Sequence, residues 1–186
     1  MRLGLVNYYT SLGEQVHLSG NTDNSEPLGS HAQFFHYVLL DGRRIRSIKY
    51  PESKHGSIGC SLIQIQYRGE IFSGEVQTIF QHKQEGLFDP QLRDRLLVHI
   101  QWMKPALEGN PLDPQLGVET WEYNSYLSPN DPQSPPLVIG MDEIQCPVSR
   151  GKISFTKPPL WITTSMDRFP TSMAAYGMGQ EIEGPQ

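Results

Sequence analysis

Two groups of side chains in this sequence have the right chemistry to hold a ligand. The first is basic. Arg43, Arg44, Arg46, Lys49 and Lys54 put five of the fifteen Lys and Arg residues into twelve positions, with Glu52 the only opposite charge among them. Guanidinium and ammonium groups in such a run suit phosphate contacts, and Arg43, Arg44, Arg46 and Lys49 are the candidate nucleic-acid-binding residues. A solvated face that balances acidic residues elsewhere is the plainer reading of the same run. The second group is aromatic: Tyr67, Trp102, Trp121, Tyr123 and Tyr126. Rings converging on one cavity can hold a methylated ammonium by cation–π attraction or stack on a nucleobase. The competing reading is that they only fill a core, and Trp102 is the residue best placed for either role.

Catalytic and metal chemistry has no comparable signature. The sequence contains no P-loop, no GxGxxG after a strand, no HExxH and no nucleophile elbow. The six histidines form no tight pair with another ligand; His31 and His36 come nearest, five residues apart. Asp142 and Glu143 are adjacent, so their side chains diverge on an extended chain and cannot cooperate as acid and base. A non-enzymatic protein without metal or cofactor is expected. An enzyme with a nonstandard site would need a cleft with convergent polar groups.

The elements that must position these groups are short strands. In residues 96–105, LLVHIQWMKP, the positions of Leu96, Val98, Ile100 and Trp102 alternate with those of His99 and Gln101, and Pro105 ends the ladder. Residues 34–40 read as a strand, Asp41-Gly42 as a tight turn, and residues 43–48 as the return strand carrying the arginines. Residues 63–67 and 71–80 read as a hairpin turned by Arg68-Gly69-Glu70, where Gly74 predicts a bulge or the close approach of another backbone. Residues 118–123, 137–139, 146–148, 151–155 and 160–164 supply further short strands, and Trp121 and Tyr123 share one face.

Composition agrees with that pattern. The chain has 186 residues, 37% hydrophobic and 19% charged, with 17 Gly and 15 Pro, which favours one β-rich domain with many turns over long helices. No fixed-period repeat occurs, so the expected fold class is all-β: a single distorted β-barrel with long loops and few short helical turns. The expected organisation is an N-terminal arm over 1–30, a barrel domain with a C-terminal extension over 31–170, and a loose tail over 171–186. Residues 11–30 are polar, and Leu3, Leu5, Val6, Tyr8 and Tyr9 form a small apolar anchor that docks on the domain or on a partner. The formal net charge of −5 argues against coating nucleic acid by bulk electrostatics while leaving room for a local patch. Two cysteines, Cys60 and Cys146, are too few for a disulfide framework and point to free thiols in an intracellular protein. No apolar run reaches the length needed to cross a bilayer, so a soluble protein with no membrane partner is expected.

The order of elements resembles the bromo-adjacent homology (BAH) domain. The resemblance is carried by residues 67–80 (YRGEIFSGEVQTIF), 98–105 (VHIQWMKP), 121–123 (WEY) with Leu127-Ser128, 136–139 (PLVI) and 144–148 (IQCPV), and it covers Phe34 to Val148. It implies a distorted barrel serving as a nuclear, chromatin-associated module that recognises a histone tail or another chromatin protein, in some members through an aromatic cage for methylated lysine. Trp102 takes the tryptophan position of that family's central strand, and Trp121 lies near where another cage wall arises. Met103 stands where the family more often has an aromatic, and Lys104 also departs from its pattern. Residues 161–170 (WITTSMDRFP), together with residues 34–42, are similar to uncharacterised domains encoded near transposable elements in mushroom-forming fungi. That likeness specifies no activity but keeps a DNA-directed role open, and the alternative function is direct DNA binding, modified DNA included, through the basic patch at 43–49.

Overall fold

The computed structural model describes residues 1–18, 26–49, 60–85, 89, 91, 94–107, 112 and 117–166, and the protein is β-rich. Two long strands dominate, β7 (Glu70–Lys83) and β8 (Asp94–Pro105), paired antiparallel along most of their length. Their length lets each serve two neighbours on its outer edge. The first half of β7 pairs with β6 (Leu62–Tyr67) and its second half with β3 (Ala32–Phe35). Along β8, residues 97–99 pair with β10 (Val138–Gly140), and Met103 and Pro105 pair with β9 (Val118–Tyr126). Strands β11 (Cys146–Ile153) and β12 (Leu160–Ser165) complete the circuit, with β9 on β12, β12 on β11 and β11 on β6. The eight-stranded sheet therefore closes into a ring, β8-β9-β12-β11-β6-β7, from which β3 and β10 extend.

Which face is inside follows from side chains that meet across the ring. Ser73 Oγ of β7 lies 3.1 Å from Thr163 Oγ1 of β12, and Trp121 Nε1 donates to the same Thr163 oxygen at 2.7 Å. Strands β7 and β12 are not neighbours, so this face looks inward. Leu62, Met103, Trp121, Cys146, Val148 and Trp161 fill the ring. The outward face of β6, β7 and β8 carries the larger apolar cluster, with Ile63, Phe72, Val76, Ile100 and Trp102. It is covered by the ribbon of β4 (Tyr37–Leu40) and β5 (Arg43–Arg46) and by Met141 and Ile144 around a 3-10 turn, Met141–Glu143.

Gly74 answers its sequence signal by close approach of a side chain. A Cβ there would stand 2.6 Å from Trp102 Cε3 and would also meet Ile100 Cγ2. The register shift lies a few residues on, between Val76 and Thr78. In β8 the alternation expected from sequence puts Leu96, Val98, Ile100 and Trp102 in one cluster. The opposite face is buried in part: Leu97 lies beneath the N-terminal segment and Met103 lies inside the ring, while Gln101 between them is exposed.

The N-terminal apolar residues form helix α1 (Arg2–Ser11), which buries Leu5, Tyr8 and Tyr9 against Phe80, Leu97 and Val138. The polar segment after it is held down by β1 (Val16–His17), paired parallel with β2 (Glu26–Pro27). Tyr9 Oη is 2.8 Å from His82 Nδ1, and His82 Nε2 is 3.1 Å from the Gly29 carbonyl. Gln84 Oε1 accepts the Gly29 N–H at 2.8 Å. Within the expected arm, Leu5, Tyr8, Tyr9, Val16 and Leu28 are thus packed on the domain, and residues 19–25 lie outside the described residues. The expected tail, 171–186, lies outside the described residues.

Candidate functional site

The arginine ribbon forms because Asp41 and Gly42 both take positive φ, 48° and 77°, the turn geometry that matches the twist of a two-residue hairpin. Pairing then sorts the side chains. Val38, Leu40 and Ile45 face the core, while Tyr37 opposite Arg46, and Leu39 opposite Arg44, share the other face. The ribbon is fastened to the chain entering β6: the Arg46 N–H donates to the Cys60 carbonyl at 3.0 Å, and the Cys60 N–H to the Arg44 carbonyl at 3.1 Å. A groove of about 700 Å³ runs between this ribbon and β11. Arg43 and Arg44 line it on one side and Arg150 on the other, with Cys60 and Ser61 in its wall; no described residue lining it is a carboxylate.

Two of these three guanidinium groups are backed by rings. Arg44 Cζ lies 4.1 Å from the Tyr37 ring centroid, and Arg150 Cζ lies 4.4 Å from that of Trp161. A guanidinium at such a distance from a ring gains cation–π attraction. Glu75 Oε1 is 4.0 Å from Arg150 Nη1, and Tyr126 also hydrogen-bonds the Arg150 side chain. Burial raises the pKa of the Cys60 thiol, which donates to the Val148 carbonyl at 2.9 Å, so it lines the groove as a neutral wall.

The basic run does not act as one unit. Arg46 stands close enough for its charge to bear on Cys60. Lys49 instead follows the β7 bulge, its N–H donating to the Gln77 carbonyl at 3.3 Å, and its charge bears on His99. Lys54 lies outside the described residues. Arg150 was not among the sequence candidates. Its signal is the Arg150-Gly151-Lys152 alternation, which puts two cations on one face of a strand.

The five aromatic candidates fall in three places. Trp102 is only 1% exposed, and its Nε1 donates to the Pro136 carbonyl at 2.9 Å. Its expected ligand contact is corrected by the structure: the indole faces the sealed outer core, pressed on Gly74, and has no open side. Trp121 is 2% exposed and plugs the ring interior. Tyr123 and Tyr126 pack edge-on against Trp161, at 5.5 and 5.7 Å between centroids. Lys152 Nζ sits 4.3 Å from the Tyr123 ring, and Tyr126 Oη donates to Glu75 Oε2 at 3.4 Å. Tyr67 has Arg68 Cζ at 5.0 Å. A shared cage of all five is therefore not formed, and two of its rings, Tyr67 and Tyr123, already carry a cation of the chain itself. Tyr67 and Trp121 do meet, in a pocket of about 510 Å³ whose lining includes Arg68, Glu70, Phe72 and Glu119.

The titratable groups elsewhere are tied into structure. Burial lowers the pKa of His82, and burial with the charges of the amino terminus and Lys49 pushes His99 down to about 4. Arg95 Nη2 donates to both oxygens of Asp142 at 2.9 Å, and Glu143 Oε1 accepts the Gly140 N–H at 2.7 Å. Among the described residues no three His, Cys, Asp or Glu side chains are grouped to hold a metal ion, and no helix is long and apolar enough to cross a membrane. No protein family, curated protein or solved structure matches the chain.

Proposed function

We propose that the protein is a non-enzymatic binding module that takes the phosphate backbone of a nucleic acid, DNA in the first instance, along the groove between the β4–β5 ribbon and β11. One observation carries this reading: Arg43, Arg44 and Arg150, from strands far apart in sequence, line a single groove to which no described carboxylate contributes. Guanidinium groups suit phosphate because their forked donors match its oxygens. A nuclear, chromatin-associated setting of the BAH type fits such a ligand.

The test is fluorescence anisotropy with labelled DNA across a salt series. Affinity should fall linearly with log salt, and the charge-reversed Arg43→Glu, Arg44→Glu, Arg150→Glu triple variant should lose binding while keeping its thermal transition. Absence of wild-type binding at low salt, or unaltered binding by a folded triple variant, would sink the proposal.

A second reading rests on a different place. The pocket beside Tyr67 is lined by the carboxylates of Glu70 and Glu119, which suit a cationic side chain such as a histone-tail lysine even though Trp121 is buried and Tyr67 already carries Arg68. A histone-peptide array tests it, with Glu119→Ala as the control; peptides bound equally well by that variant would place them elsewhere.

A further inference from the structure

We infer that the N-terminal segment, residues 1–18 and 26–29, is a strap that lets go of the sheet when the imidazole of His82 takes up a proton. His82, on β7, is buried and fastens the strap at two points, Tyr9 of α1 and Gly29 after β2. The Gly29 carbonyl, 3.1 Å from Nε2, can only accept, so Nε2 carries the hydrogen of the neutral ring. Nδ1 is then an acceptor, and Tyr9 Oη donates to it at 2.8 Å. Gly29 reaches this position because it lacks a side chain: a Cβ there would stand 2.6 Å from the Lys83 carbonyl. The neutral ring satisfies both contacts. A second proton goes onto Nδ1 and meets the hydroxyl donor of a fully buried Tyr9, where no described carboxylate bonds to the imidazole.

The ionisable groups around His82 do not favour that proton. On the strap they are Tyr8, Tyr9 and Glu14, and Glu14 Oε1 accepts the Asp89 N–H at 2.9 Å. On β8 the residue opposite His82 is Arg95, a like charge whose carboxylate partner, Asp142, is committed to it, with Glu143 in the same turn. Lys83 and Asp94 form the next pair, and His31 precedes β3 beside them. Burial lowers the pKa of docked His82, whereas a released imidazole titrates near about 6.5. The released state therefore binds the proton more readily, so docking is full above about 6.5 and weakens as pH falls. The rest of the fold stands without the strap. Leu5, Tyr8, Tyr9, Val16 and Leu28 meet Phe80, Leu97 and Val138 in a cluster of their own, and neither the outer core nor the ring interior includes a described strap residue. Helix α1, ten residues long with no side chain capping its N-terminus, is too short to persist once detached. Release uncovers Phe80, Leu97 and Val138 and leaves the arginine groove in place, because no described strap residue lines it.

Amide hydrogen exchange of the full chain, read by mass spectrometry at about pH 7 and about pH 5 and corrected for the intrinsic rate, separates the strap from the sheet. At both pH values residues 2–17 should exchange faster than residues 96–103 of β8, which shows the strap opening while the sheet stays closed. Between the two pH values strap protection should fall about tenfold. In His82→Gln, which cannot titrate, it should change less than about twofold. Exchange of the imidazole C2 hydrogen in the wild type needs no variant and should show His82 titrating below about 6.5. Equal strap protection at both pH values, strap and β8 opening at one common rate, a folded His82→Gln variant that keeps the wild-type pH dependence, or His82 titrating at or above about 6.5 would overturn the inference.

Discussion

Replacing Tyr37 by leucine isolates what the rings do for the groove. Tyr37 is 40% exposed and lies diagonally across the ribbon from Arg44, whose guanidinium carbon is 4.1 Å from its centroid. Leucine keeps apolar cover on that face and removes the π-face. A cation–π contact at an exposed site contributes about 0.5–1 kcal/mol. If that energy holds Arg44 in its binding geometry, Tyr37→Leu weakens oligonucleotide binding by about two- to fivefold. The number of phosphates contacted is unchanged, so the slope of log affinity against log salt stays as in the wild type. Arg44→Ala by contrast lowers the magnitude of that slope by about 0.7–0.9, one phosphate contact. Anisotropy titrations of the two single variants and the double variant form a cycle, with an expected coupling of about 0.5–1 kcal/mol. A coupling of zero, or a Tyr37→Leu slope reduced as far as that of Arg44→Ala, refutes the idea that the ring positions the cation.

Four other perturbations follow from the same geometry. Gly74→Ala pushes a methyl into Trp102 and Ile100 and should cost about 1–3 kcal/mol, a fall of about 2–12 °C in Tm by calorimetry for a chain of this size; an unchanged Tm would contradict the packing. Trp102→Phe removes the Nε1 donor from the Pro136 carbonyl and should cost about 1–3 kcal/mol in urea unfolding, with oligonucleotide affinity unaltered within about twofold; selective loss of affinity would restore Trp102 as a contact. His99, pushed down to about 4 when folded, binds its proton more readily in the unfolded chain, so its contribution is full above about 6.5 and is lost as pH falls toward 4. The wild type should therefore lose about 1–2 kcal/mol more than His99→Gln between pH 7 and pH 5, and equal losses would refute the shift; Glu143, raised by burial, works in the opposite direction in both proteins. Glu75→Gln takes a carboxylate away from Arg150 and should tighten oligonucleotide binding by about 1.5- to 5-fold, most visibly at low salt, while weaker binding would show that Glu75 aligns the arginine.

Strand alternation made much of this fold legible. The pattern of residues 96–105 gave β8 and the outward cluster, and Asp41-Gly42 and Arg68-Gly69-Glu70 gave two hairpins because their turn chemistry is local. Helix α1 was not legible as a helix. Its apolar residues sit at Leu3, Leu5, Val6, Tyr8 and Tyr9, a spacing without a clean helical period, and only packing on Phe80, Leu97 and Val138 shows which of them the helix buries. The second wall of the groove was hidden for a related reason. Arg150 becomes a neighbour of Arg43 and Arg44 through two links, the β11–β6 pairs Cys146–Gln64 and Pro147–Ile63, whose partners lie far apart in sequence, and the local Cys60 link to Arg44 and Arg46. The aromatic candidates show the limit from the other side. Ring type suggested a cage, but which face each ring occupies depends on register, and register put Trp102 outside the ring of strands and Trp121 within it.

An acidic chain with a cationic groove has a physical consequence for how it meets a polyanion. The formal charge is −5, so faces away from the groove repel phosphate at long range, whereas the three arginines attract it at contact. At physiological ionic strength the screening length is about 8 Å, so carboxylates on remote faces are nearly invisible to a strand already seated, while Glu75 is not. Encounter is thereby restricted to one orientation, and bound strands are held by few charges. Affinity in such an arrangement depends on how firmly the arginines are held, and Tyr37 beside Arg44 and Trp161 beside Arg150 are what the structure offers for that.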